Sequence, residues 1–123
     1  KLNSIIKFAG SVPSLEIYSQ IKVLIHTCAV ESFGRIFIEA GASGVPILAI
    51  TGGGASEIVN DNIGFLFEKD NLSEMARKLH NLTNNEEERL KLAKSAREEA
   101  GKYNAEISFK ELIPFYKAVL QNY

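Results

Sequence analysis

The sequence predicts an α/β fold: a Rossmann-like parallel sheet with helices on both faces, ending in three helices. Short β-rich runs alternate with helical patterns through the first 70 residues, which is typical of strands joined by crossover helices. The run Val23-Leu24-Ile25 is apolar without alternation, as a parallel strand buried on both faces should be. Only helical patterns follow residue 70. We therefore expect a single domain with an α/β part over residues 1–70 and a helical part over residues 71–123.

The elements of the α/β part are expected in regular alternation. Strands are predicted at Ile5–Ala9, Val23–Thr27, Ile47–Ile50 and Gly64–Phe67. The helices between them are predicted at Pro13–Gln20, Gly34–Ser43 and Ala55–Asn60. Parallel strands need such crossover connections, so the order of the elements agrees with the predicted sheet.

Three helices are predicted for the later part of the chain. The segment Asn71-Leu72-Ser73-Glu74 has the form of a capping box, which marks the start of the first. The others are expected at Glu86–Tyr103 and Ala105–Asn122, and Pro114 should kink or interrupt the last one. One side of the last helix is apolar and comprises Leu112, Ile113, Tyr116, Val119, Leu120 and Tyr123.

Composition excludes several classes of protein. The 123 residues are 46% hydrophobic and 24% charged, as in an ordinary globular domain with one core. The net charge of −1 and the mixed signs on the later helices give no electrostatic reason to expect a nucleic-acid partner. The single cysteine, Cys28, cannot form an internal disulfide, and no apolar run approaches the roughly 20 residues needed to span a bilayer. We expect a cytoplasmic location, free or peripheral at the inner membrane face.

Two glutamates, Glu31 and Glu39, lie eight positions apart on either side of Gly34. If a helix begins near Gly34, Glu39 lies inside it and Glu31 lies on the preceding turn, so both carboxylates can face one ligand. The unpaired N–H groups and positive dipole at the helix start favour an anion, and Gly34 lets a diphosphate approach the backbone. One carboxylate can accept hydrogen bonds from ribose and the other from a sugar. The pattern predicts a nucleotide-sugar ligand.

At these residues the chain resembles the retaining glycosyltransferases of the GT-B fold, specifically the GT4 family, whose signature is two glutamates separated by seven residues. The resemblance covers about the first 70 residues. Four further segments agree in order and spacing: Phe8-Ala9-Gly10, Glu39-Ala40-Gly41-Ala42-Ser43-Gly44-Val45-Pro46, Gly53-Gly54 with Glu57 three residues on, and Gly64-Phe65-Leu66-Phe67. Without these segments, Glu31 and Glu39 would more simply be a turn residue and a helix-surface carboxylate.

The resemblance implies a function and a place in a larger enzyme. The chain is similar to the distal part of the C-terminal, donor-binding domain of such a transferase. The intact enzyme would be a hexosyltransferase (EC 2.4) of polysaccharide biosynthesis. It would transfer a sugar from a UDP- or GDP-sugar to an acceptor glycan or lipid, with retention of configuration.

The resemblance also implies roles for the residues around Gly34. Glu39 would hold the ribose hydroxyls, and Glu31 would contact the transferred sugar as the catalytic residue. The sugar and diphosphate would meet the backbone amides of Ser32, Phe33, Gly34 and Arg35. The Arg35 guanidinium offers paired donors to a phosphate, although a plain helix-surface cation is an equal alternative.

Two glycine-containing turns complete the implied site. Gly10 and Ser11 lie where the family meets the nucleobase edge. Gly53 and Gly54 would let a strand-to-helix turn approach the donor closely, or would simply form a flexible turn. A phosphate-loop reading of this turn fails, because no Gly-Lys-Ser/Thr follows and Glu57 stands where Gly-x-Gly-x-x-Gly needs glycine.

No metal or other cofactor is expected. His26 and Cys28 alternate at a predicted strand end near Glu31, but a metal site needs at least three positioned ligands and a third is not evident. Members of the resembled family act without a metal. Protein groups and the helix start must then stabilise the departing diphosphate.

Parts of the family pattern are absent from the chain. It begins at Lys1 without an initiator methionine and lacks the acceptor domain and the usual diphosphate-gripping Arg and Lys, so we expect an inactive piece of a longer protein. In the family's strand order, 3-2-1-4-5-6, the predicted strands are 3, 4, 5 and 6. Val23–Thr27 would then be an open apolar edge, and self-association is expected.

Two other functional classes remain open from the sequence. The first is a nucleotide-sugar-binding module without catalysis, or one subunit of a two-chain transferase. Activity restored by a separate acceptor-domain chain would identify the split enzyme. The second is a sugar-nucleotide epimerase of the same architecture, which a product assay distinguishes because an epimerase needs no acceptor.

Overall fold

The computed structural model describes residues 5–121, which form a three-stranded parallel sheet with helices on both faces. The strands are β1 (Leu24–His26), β2 (Ile47–Ile50) and β3 (Gly64–Phe67). The helices are α1 (Ser14–Tyr18), α2 (Arg35–Ala42), α3 (Gly53–Ile58), α4 (Leu72–Asn84), α5 (Glu86–Ala100) and α6 (Ala105–Leu120). A 3-10 turn at Gly101–Tyr103 joins the last two helices. The predicted α/β fold with a helical ending is confirmed.

The sheet has the order β1-β2-β3, with parallel pairing throughout. Leu24 pairs with Ile47, and Ile47 pairs with Gly64 on its other side. The order and direction predicted for the last three strands are therefore confirmed. Within residues 5–121, β1 pairs only with β2, and its central residue Ile25 is 39% exposed. The predicted open apolar edge is present.

The predicted strand at Ile5–Ala9 is wrong. These residues form no strand, and Phe8 is 95% exposed. Backbone hydrogen bonds stabilise a strand only when a neighbouring strand supplies them, and no described strand pairs with this segment. Its β-rich composition alone is insufficient to form one.

The core lies on both faces of β2, all four of whose residues are buried. Ile47 and Ala49 pack in one cluster with Phe37 of α2, while Leu48 and Ile50 pack in another with Leu82 of α4. This alternation follows from the pleat, which points successive side chains to opposite faces. The central strand therefore holds both helical layers in place and positions the loop ends of the sheet.

The later helices begin at asparagine caps. Asn71 accepts a hydrogen bond from the Glu74 backbone N–H at 3.1 Å, and its side-chain amide donates to the Glu74 carboxylate, which confirms the predicted capping interaction. The carboxylate also binds Lys78, and this interaction is the main reason that the pKa of Glu74 is lowered. Asn85 caps α5 in the same way through the Glu88 N–H, and Asn104 caps α6 by accepting from the Glu106 N–H two residues on.

Helix α6 continues through Pro114, so of the two predicted effects the interruption is wrong, while the kink stays a prediction. A proline inside a helix removes one backbone hydrogen-bond donor and destabilises the helix by about 3 kcal/mol. The hydrogen bonds on either side of it still hold the helix together. The apolar side of α6 is exposed along its described length, with Tyr116 and Leu120 as its most exposed described residues. Asn122 and Tyr123, which the sequence placed in this helix, lie outside the described residues.

Gly64→Ala is expected to destabilise the fold by about 1–3 kcal/mol, because the new Cβ would lie 1.9 Å from the backbone oxygen of Ile47. The backbone of β2 cannot yield without disturbing both of its neighbours. Gly101→Ala is the matched control, since a Cβ there meets nothing within 4 Å. Urea unfolding measures both variants, and equal midpoints would contradict this account of the β2–β3 packing.

Candidate functional site

The candidate site lies where β1 and β2 end, because the carboxyl ends of parallel strands meet at one edge of the sheet. His26 is the last residue of β1, and the loop that follows carries Glu31 to the start of α2. Thr51–Gly54 follows β2 and leads into α3. The two loops meet directly, and their contact shapes the site.

Gly34 is the residue that allows α2 to begin where it does. Its backbone is left-handed, with φ 86° and ψ 44°, a conformation that side chains disfavour. A Cβ at this position would also lie 2.4 Å from the ring of Phe37. None of the residues in 5–121 accepts a hydrogen bond from the backbone N–H of Arg35 or Ile36, so the helix start can bind an anion.

The three glycines after β2 pack against the Glu31 loop. A Cβ on Gly52, Gly53 or Gly54 would lie 2.7, 2.1 or 2.4 Å from a backbone oxygen of that loop. The Gly54 N–H also donates to the backbone oxygen of Glu31 at 2.8 Å. Because these three glycines have no side chains, the two loops can pack in close contact. Contact of Gly53 and Gly54 with a donor stays a prediction.

Glu31 is fixed at both carboxylate oxygens. The Gly34 N–H donates to Oε1 at 3.2 Å, and His26 Nε2 lies 3.4 Å from Oε2. The Glu31 side chain remains 27% exposed. A ligand at the start of α2 can therefore reach a carboxylate whose orientation is already set.

Glu39 lies one turn into α2, as predicted, and has two partners. Arg35 Nη2 is 3.2 Å from its Oε1, so the guanidinium binds this carboxylate on an exposed surface of the helix. Burial raises the pKa of Tyr18, and the charge of Glu39 together with a hydrogen bond to its carboxylate raises it further. Tyr18 is buried in α1 and also donates to the backbone oxygen of Ile36 at 3.4 Å.

Glu39 borders a cleft of about 340 Å³ between α2 and the region where α5 turns into α6. The cleft is lined by Phe33, Arg35, Ile38, Glu39, Tyr103 and Ser108. The rings of Phe33 and Tyr103 meet edge to face, with their centroids 6.3 Å apart. Sequence reasoning missed Tyr103 and Ser108, because no local pattern shows that the chain returns to α2 after α5.

Gly10 and Ser11 lie in an exposed segment before α1. Gly10 has a positive φ of 69°, and a Cβ there would meet nothing within 4 Å. No hydrogen bond or ion pair of the described residues connects either residue with Glu31 or Glu39. Their role at a nucleobase stays a prediction.

The arrangement around Cys28 differs from a metal site. Strand β1 ends at His26, so Cys28 lies in the loop beyond it and is exposed. Over residues 5–121, no three His, Cys, Asp or Glu side chains come together in a way that could hold a metal ion.

No helix within residues 5–121 is long and apolar enough to cross a membrane.

Solved structures share this fold. The Anabaena protein HepE, in complex with UDP and glucose, superposes with a TM-score of 0.79 at 25% identity, over 92% of this chain and 32% of that protein. The C-terminal domain of a glycosyl transferase group 1 family protein from Francisella tularensis superposes with a TM-score of 0.64 at 30% identity, over 80% of this chain and 51% of that one.

The sequence agrees with the structural likeness. A sulfoquinovosyl transferase from Arabidopsis thaliana is 31% identical over 104 residues, which is 79% of this chain and 20% of the relative. The chain therefore spans about a fifth of the length of this relative. Residues 1–99 match the family described as glycosyl transferases group 1. The chain belongs to this family of glycosyltransferases, as its resemblance to the GT-B enzymes predicted.

Proposed function

We propose that this chain is the donor-binding part of a retaining, GT4-type glycosyltransferase. The observation that carries the proposal is the start of α2, between the two glutamates of the signature, where the backbone N–H groups of Arg35 and Ile36 have no acceptor among residues 5–121. Family membership supports transfer from a nucleotide sugar, and makes a pure binding module or an epimerase the weaker interpretation. The full-length transferase, meaning the longer polypeptide in which we propose that this chain occurs, would supply the acceptor site.

The chemistry of the site favours a nucleoside diphosphate sugar. The diphosphate would accept hydrogen bonds from the amides of Ser32 to Arg35 at the positive end of α2, close to the Arg35 guanidinium, and the Gly34 amide would leave Glu31 Oε1 to join them. Glu39 would hold the ribose hydroxyls and Glu31 the sugar, while Gly10 and Ser11 would meet the base. A UDP-sugar is the first choice because the similar HepE structure contains UDP and glucose, and a GDP-sugar is the second.

The proposed reaction retains configuration without a side-chain nucleophile. The acceptor hydroxyl would attack from the face that the diphosphate leaves, while the helix start stabilises the developing negative charge. Glu31, with both of its oxygens already held, would orient the sugar. We propose a hexosyl group as the transferred unit and a glycan or lipid of polysaccharide biosynthesis as the acceptor. The enzyme would act in the cytoplasm or at the inner membrane face.

A transfer assay of the full-length transferase tests this function. EDTA is expected to leave the rate unchanged, because backbone amides and Arg35 stabilise the diphosphate in this account. The assay measures sugar transfer from UDP-glucose or GDP-mannose, and proton NMR reports the anomeric configuration of the product. Inversion of configuration, or loss of activity in EDTA with rescue by a divalent metal, would refute the proposed mechanism.

The isolated chain is expected to self-associate and to show no transferase activity. The β1 edge is open within the described residues, and Ile25 exposes an apolar side chain there. An exposed apolar edge strand pairs with strands of other molecules. A lysine on such an edge opposes this pairing. Light scattering across a concentration series should show growing mass for the wild-type chain and less growth for Ile25→Lys. A folded wild-type monomer at every concentration would contradict the expectation.

A further inference from the structure

His26 occupies a place that neither the family signature nor the proposed donor contacts explain. It closes β1 with its side chain only 14% exposed, and its ring meets the Phe37 ring edge to face with the centroids 4.9 Å apart. The contact with Phe37 fixes the plane of the imidazole. Its Nε2 atom then points toward Glu31, at 3.4 Å from Oε2.

The other ring nitrogen of His26 is enclosed by the protein. Nδ1 is buried and has no hydrogen-bond partner among residues 5–121. Nε2 is therefore the ring nitrogen through which His26 contacts another side chain, the Glu31 carboxylate.

The loop that carries Glu31 is held from two further directions. Gly54 donates to the Glu31 backbone oxygen at 2.8 Å, and Gly34 donates to Oε1 at 3.2 Å. Those two contacts fix the backbone and one carboxylate oxygen. Rotation of the carboxylate about its last bond moves both oxygens, so it is opposed by the Gly34 N–H at Oε1 and by His26, the side chain that lies against Oε2.

We propose that His26 is the positioning residue of Glu31, and that it holds the carboxylate plane in the orientation that the transferred sugar requires. The proposal rests on the proposed function, in which Glu31 contacts the sugar. In this proposal His26 would touch neither donor nor acceptor. Its loss should therefore reduce turnover and leave binding of the free nucleoside diphosphate unchanged.

The kinetic test compares four variants of the full-length transferase with the wild type and with the Glu31→Gln single variant. His26→Leu should lower kcat about ten- to a hundredfold, since a misplaced catalytic group has an effect of this size. His26→Gln keeps an N–H donor and should restore part of the loss, while Cys28→Ala, a neighbouring exposed position, should behave as wild type. In a Glu31→Gln background, His26→Leu should cause little further loss. UDP affinity, measured by calorimetry, should stay the same in all four.

An NMR measurement separates this proposal from the proposed function. In labelled protein, the Gly34 amide resonance reports the hydrogen bond to Glu31, and it should shift and exchange faster in His26→Leu but not in Cys28→Ala. If wild type transfers no sugar while this shift occurs, the function fails and the positioning stands. An unchanged Gly34 amide, a weakened UDP affinity, or a full additional loss of kcat in the Glu31→Gln background would overturn the positioning role.

Discussion

Glu31→Ala is expected to reduce turnover of the full-length transferase by about a hundredfold or more, in line with the loss of one preorganised group that acts in the transition state. In the proposed site this carboxylate contacts the transferred sugar. Binding of free UDP should change little, because UDP lacks that partner. Steady-state kinetics with the sugar nucleotide and calorimetry with UDP measure the two effects separately.

The outcome for Glu31 depends on the difference between these two measurements. The substitution removes the acceptor of the Gly34 N–H, so the fold of the variant is checked by urea unfolding. If UDP and UDP-glucose lose affinity equally, Glu31 would belong to the nucleotide subsite. An unchanged turnover in a folded variant would remove Glu31 from the site altogether.

Glu39→Gln should lower nucleotide affinity about tenfold or more, because hydrogen bonds to a charged carboxylate contribute about 1.5–3 kcal/mol and the amide keeps only the shape. Calorimetric titration with UDP measures the change. Arg35 loses its ion-pair partner in this variant, which affects stability little since the pair is exposed.

The control for Glu39 is the same chemical change at Glu87, an exposed carboxylate at the start of α5. Glu87→Gln should bind UDP like the wild type. Equal affinities of Glu39→Gln and the wild type, with both proteins folded, would withdraw the ribose assignment.

The parts of the fold that depend on local patterns could be predicted from the sequence. The run Ile47–Ile50 forms the predicted strand, and the Asn71 cap starts α4. The run Val23-Leu24-Ile25, expected to be buried on both faces, is only partly buried because β1 lies at the edge of the described sheet. The strand prediction at Ile5–Ala9 was wrong because it rested on a local pattern alone. Pairing with a neighbouring strand decides whether a β-rich segment becomes a strand, and no local pattern shows that neighbour. Pro114 does not interrupt α6, since helical hydrogen bonds on both sides of a proline can hold a helix together.

The candidate site, too, could be predicted from the sequence only in part. The spacing of Glu31, Gly34 and Glu39 predicted a helix start between two carboxylates, and α2 begins at Arg35. The partners of those carboxylates come from elsewhere in the chain: Tyr18 lies on α1 and His26 at the end of β1. No local pattern encodes such contacts, because they depend on how α1, β1 and α2 pack together.

The central claim is that the start of α2 binds the diphosphate of a nucleotide sugar. An NMR titration of labelled full-length transferase with UDP-glucose, GDP-mannose and ADP-glucose tests it most directly. The account predicts that one of the three saturates the protein, with the largest amide shifts at Gly34, Arg35 and Ile36. Saturation with these three amides unmoved, or no binding of any donor to the folded protein, would contradict it.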